Sequence, residues 1–92
     1  MLQAPFEPGP EHTRAFFEQR ISDLVQSLLH CQNEHHLVRL KSYIAYVTRQ
    51  WELTYAHTNQ ISQPDLMRLI TLREERLTPL VRDLERRYTF GI

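Results

Sequence analysis

Residues 40–51, Leu40-Lys41-Ser42-Tyr43-Ile44-Ala45-Tyr46-Val47-Thr48-Arg49-Gln50-Trp51, decide the fold class of this chain. Leu40, Ile44, Val47 and Trp51 recur at steps of four, three and four, the interval that lines side chains along one face of an α-helix. The same rhythm appears on either side. Upstream it is carried by Phe17, Ile21, Leu24 and Leu28; downstream by Leu66, Ile70, Leu77, Leu80 and Leu84, interrupted at Arg73. No Asn-Gly or Asp-Gly hairpin turn and no alternating apolar segment compete with this pattern. Three stripes of similar length predict an all-α fold, a small three-helix up-down-up bundle.

Local punctuation sets the expected boundaries. Residues 1–10 hold Pro5, Pro8, Gly9 and Pro10, and read as an extended N-terminal arm, with Phe6 available to pin it to the bundle. Residues 11–92 then form a single helical domain. Pro10 and Glu11 suit a first helical turn, predicting helix 1 from there to about Cys31. Asn33 can cap a second helix that runs to about His57, followed by a loop at Thr58-Asn59-Gln60. Ser62-Gln63-Pro64-Asp65 offers a hydroxyl cap, a first-turn proline and a carboxylate three residues on, which together start helix 3. Thr78-Pro79 conflicts with that helix, since an interior proline removes a hydrogen bond and clashes four residues back, at about 3 kcal/mol. The third helix is therefore expected to be kinked or split at Pro79.

Composition narrows the function classes. The chain has 92 residues, 41% of them apolar and 24% charged, with zero formal net charge. Ten of the eleven basic residues are arginine, a residue suited to planar, bidentate and stacking contacts. A balanced charge lacks the basic excess that counterion release rewards in nucleic-acid binders. One cysteine, Cys31, precludes an internal disulfide and fits a reducing compartment. No stretch approaches the roughly 20 apolar residues of a membrane span, and the first residues lack signal-peptide character. A cytoplasmic protein without a membrane partner is expected.

Site chemistry is sparse. His30, Cys31, His35 and His36 cluster, and Cys31 with His35 has the four-residue step of a shared helical face. A structural zinc needs four ligands, usually as two pairs; only one pair is local, and His12 or His57 would have to complete it from afar. No G-x-S-x-G elbow exists, and two glycines cannot build a phosphate-cradling loop. Glu74-Glu75 reads as a solvated helical face. No catalytic residue, metal or cofactor is expected, and the chain is not expected to be an enzyme.

Binding is the remaining class. With Leu40, Ile44, Val47 and Trp51 turned inward, Tyr46 and Leu53 fall on the opposite side, with Arg39, Ser42 and Arg49 around them. Tyrosine and arginine are enriched in interface hot spots, so this outer strip is either a docking surface or, if another helix covers it, core. The C-terminal residues Arg87, Phe90 and Ile92 either seal the bundle or insert into a partner. These seven residues, Arg39, Tyr46, Arg49, Leu53, Arg87, Phe90 and Ile92, are the candidate protein-binding positions. They point to a non-enzymatic interaction module (adaptor, chaperone, regulator or inhibitor) that binds another protein or its own copy as a homodimer.

A second line comes from likeness. Ile61-Ser62-Gln63-Pro64-Asp65-Leu66 and Leu77-Thr78-Pro79-Leu80-Val81-Arg82-Asp83-Leu84-Glu85-Arg86-Arg87 resemble the helix-turn-helix half of MarR-type winged-helix regulators. Thr48-Arg49-Gln50-Trp51 is similar to the segment that leads into that half. The resemblance implies a DNA-binding transcriptional regulator with Arg73, Arg76 and Arg82 facing the duplex. The chain departs from the pattern at Thr71, where a turn glycine is expected, and between Trp51 and Ile61, which is short. It departs again at Glu74-Glu75, in the turn that would meet DNA, at Pro79, and in the missing β-wing.

Overall fold

The computed structural model describes residues 12–88. The expected arm at residues 1–10, with Phe6, and the C-terminal Phe90 and Ile92 lie outside the described residues. The described chain forms α1 (Arg14–Leu29), α2 (Glu34–His57), α3 (Gln63–Leu72), a π-turn (Arg73–Leu77) and α4 (Thr78–Tyr88). The last three join into one kinked third helix. Each of the three long helices packs on the other two, and no strand occurs among the described residues. The small all-α three-helix bundle expected from the stripes is what forms.

Side-chain caps place the helix starts. Asn33 is extended and its Oδ1 accepts the His36 N–H at 2.8 Å, opening α2 where expected. Ser62 and Asp65 form a reciprocal capping box: Ser62 Oγ accepts the Asp65 N–H, and Asp65 Oδ2 accepts the Ser62 N–H. α1 starts later than Pro10 and Glu11 predict. The helix begins at Arg14, with Thr13 as its cap and Thr13 Oγ1 accepting the Phe16 N–H. A hydroxyl that satisfies an orphan N–H is a stronger start signal than the proline and glutamate upstream of it.

Phe17, Ile21, Leu24 and Leu28 of α1 are all buried, as their spacing predicts. On α2 the core runs through Leu37, Val47, Trp51 and Thr54, while Leu40 and Ile44 are only partly buried. Phe17 meets Trp51 edge-on, ring centroids 6.2 Å apart. Thr54 is fully buried and stays satisfied because its hydroxyl donates to the Gln50 carbonyl at 2.8 Å. At the far end the Tyr88 hydroxyl donates to the Cys31 carbonyl at 3.1 Å, tying the end of α4 to the α1–α2 junction.

The third stripe is where the structure departs most from its reading. Leu69, not Ile70, is fully buried, followed by Leu77 and Leu84. In an unbroken α-helix, eight residues from Leu69 to Leu77 would turn the two side chains about 80° apart. The π-turn takes up one extra residue, with the Thr78 N–H donating to the Arg73 carbonyl five residues back. Leu69, Leu77 and Leu84 thereby align as though spaced by heptads. The distortion also sits ahead of Pro79 rather than at it. Pro79 comes just after the π-turn, inside the continuous third helix.

Candidate protein-binding surface

Helix α2 carries most of the candidate positions. The core face of α2 is set by Leu37, Val47 and Trp51, and the spacing puts Arg39, Ser42, Tyr46, Arg49 and Leu53 on its outward side. Tyr46 is 57% exposed, Arg39 and Arg49 are exposed, and Leu53 is half-buried. The described residues lay no further helix over this face. Tyr43, which the sequence reading passed over, stacks on Tyr46 with ring centroids 5.9 Å apart and planes at 21°. Tyr43 is itself 43% exposed, and Val38 on the same helix is 54% exposed. Arg87 is exposed and lies over the ring of Tyr88.

Between α2 and the π-turn/α4 segment lies an open groove of about 610 Å³. Its floor is apolar, made by Ile44 and Ala45 from α2 and by Leu77 and Val81 from the third helix. Arg49 stands on the α2 rim and Arg82 on the α4 rim, and neither has an ion-pair partner among the described residues. Lys41 and Glu85 pair across one end. Arg73 closes the other: its Nη1 donates to Thr48 Oγ1 at 3.3 Å and its guanidinium lies 5.8 Å from the Trp51 ring centroid. The groove was not read from the sequence, although a signal was there. Lys41, Ala45, Thr48 and Glu52 recur at steps of four, three and four, a row of short or charged side chains beside the core stripe. Such a row cannot fill the space between two helices.

Of the three arginines of the DNA-facing expectation, Arg73 and Arg82 border the same groove, while Arg76 turns toward α1. Arg73 faces α2 through Thr48 and Trp51, Arg76 Nη1 donates to Ser22 Oγ on α1 at 3.4 Å, and Arg82 stands at the groove rim. The backbone is helical throughout Gln63–Tyr88. At the α1–α2 junction, Cys31 is buried with its Sγ 3.5 Å from the Asn33 carbonyl, and His35 is exposed in the next helix. The break at residues 30–33 separates the two, so their four-residue step does not run along one helical face. Among the described residues no three His, Cys, Asp or Glu side chains are grouped as metal ligands. No described helix is long and apolar enough to cross a membrane.

Compared with known proteins, the chain matches no family model, no curated protein and no solved structure.

Proposed function

We propose that this chain is a non-enzymatic protein-interaction module of the cytoplasm, an adaptor, chaperone, regulator or inhibitor that acts by surface binding. The observation that carries the reading is the outward side of α2. It presents a stacked Tyr43–Tyr46 pair beside arginines and borders an apolar groove with unpaired arginines on both rims. Rigid aromatic rings and guanidinium groups are the side chains that most often dominate binding energy at interfaces. The partner is another protein or a second copy of the chain.

A photoreactive phenylalanine placed at Tyr46 tests this in intact cells, with the same group at the exposed Gln19 of α1 as control. A discrete protein adduct from position 46 that position 19 does not give is the expected result. Equal or absent adducts would remove the reading. The competing reading, a DNA-binding regulator acting through Arg73, Arg76 and Arg82, requires retention on duplex DNA that falls steeply with salt. Unchanged retention in an Arg73→Ala/Arg76→Ala variant would remove it.

A further inference from the structure

We infer that the groove between α2 and α4 receives an acidic amphipathic helix from a partner protein, which adds a fourth helix to the bundle. The inference rests on the interaction-module reading and names the partner chemistry of one part of that surface. A helix is about 10 Å wide with its side chains and needs an apolar bed between two parallel ridges. Ile44, Ala45, Leu77 and Val81 supply that bed, and α2 and α4 are the ridges. Ala45 is exposed at the centre of α2's contribution and leaves room for an incoming leucine.

Charge chooses the partner. A helix laid in this groove would have Arg49 along one edge and Arg82 along the other, the places where flanking residues set pairing in helical bundles. The other basic groups at the groove are occupied: Lys41 by Glu85, and Arg73 by Glu74 and Thr48. Among the groove's acidic groups, Glu52 alone lacks an ion-pair partner, so two free arginines outnumber one free carboxylate. Lys41 meets Glu85 and Thr48 meets Arg73, so position rises along α2 as it falls along the third helix. The two run antiparallel, with Arg82 about level with Ile44. Arg49 then lies about 7.5 Å farther along α2. Carboxylates on both edges of a leucine stripe meet this arrangement; lysines in those places meet like charge. A second copy of this chain would bring the same arginine-rimmed face, which opposes an isologous dimer through the groove.

The test uses the full chain and two synthetic 18-residue helical peptides. Both carry the same leucine stripe; one is flanked by glutamates and the other by lysines. Binding is read by fluorescence anisotropy, and the location by amide chemical-shift changes. The expected result is at least tenfold tighter binding of the glutamate peptide at low salt, with shifts centred on Ala45, Thr48, Leu77 and Val81. An Arg49→Glu/Arg82→Glu variant, altered only at exposed positions, should reverse the preference while keeping its helical circular dichroism. Equal binding of both peptides, binding centred on Tyr43 and Tyr46, or no binding would overturn the inference. Groove amides that move with protein concentration in the absence of peptide would assign the groove to a second copy and overturn it equally. Cross-linking from Tyr46 is independent of these outcomes, so the wider reading can stand when the charge preference fails.

Discussion

Arg73 lays its guanidinium over the indole of Trp51, 5.8 Å from the ring centroid, and donates to Thr48 at 3.3 Å. One residue of the π-turn thus holds the middle of α2, at the point where the third helix changes register. The Arg73 side chain is 26% exposed, so the stacking is partly shielded from water. Arg73→Ala should destabilise the fold by about 1 kcal/mol. Arg73→Lys should lose most of the same amount, because an ammonium does not stack as a planar guanidinium does. Urea unfolding of both variants checks this; a midpoint unchanged in Arg73→Ala would show the contact to be energetically idle.

The π-turn predicts an unusual pair of deletions. Removing Glu75 returns the segment to α-helical spacing and keeps Leu69 and Leu77 on one face, but it carries Pro79 into an α-helical interior. That deletion should cost about 3 kcal/mol in the natural chain and much less in a Pro79→Ala background. Thermal melts of the two deletion proteins give the comparison. Equal losses would mean that the π-turn does not serve to accommodate the proline.

Leu69 and Ile70 separate the observed register from the one a uniform helix would have. Leu69→Ala removes a fully buried side chain and should cost about 3 kcal/mol, a large share of the stability of a domain this small. Ile70→Ala removes a partly exposed one and should cost clearly less. Reversal of that order in denaturant titrations would place the π-turn elsewhere.

The start of α3 predicts a pH dependence. The Asp65 carboxyl is held below the ordinary carboxylate range, first by the Ser62 backbone N–H, then by the Ser62 hydroxyl, with Arg14 adding its charge. A carboxylate with a depressed folded-state pKa contributes stability above its unfolded pKa, near 3.9, and that contribution is lost as pH falls through the folded value. The melting temperature should therefore drop on acidification below about pH 4, and less steeply in Asp65→Asn. Ser62→Ala should cost about 1 kcal/mol at neutral pH through loss of the cap.

Tyr46 and Leu53 test the binding surface without touching the core. Tyr46→Ser/Leu53→Ser should keep a cooperative melt, within about 1 kcal/mol of the natural chain, while losing the protein adduct formed by a photoreactive phenylalanine placed at the exposed Ser42 of the same face. A collapsed transition would make these residues part of the fold.

Much of the architecture is legible because it is local. Asn33, Ser62 and Asp65 satisfy backbone groups within three residues of themselves, so the starts of α2 and α3 follow from side-chain chemistry alone. The α1 core stripe also follows, since four buried side chains on one unbroken helix need only a constant period. Thr13 shows the same logic overlooked: the hydroxyl was available as a start signal and outranked Pro10 and Glu11.

Of the candidate surface, the strip of Arg39, Tyr46 and Arg49 was visible as the reverse of a core stripe, and the structure leaves these residues exposed. The groove was not visible, because it is the space between α2 and the π-turn/α4 segment, which are not neighbours along the chain, and helical spacing within either one says nothing of their separation. The sequence by itself determined the helix number, two of the three helix starts and the inward faces of α1 and α2, all set by neighbours along the chain. Tertiary structure decided which leucines of the third helix enter the core, because packing against α1 and α2 selects the register that buries Leu69 with Leu77. The π-turn ahead of Pro79 is the backbone geometry through which that register is reached.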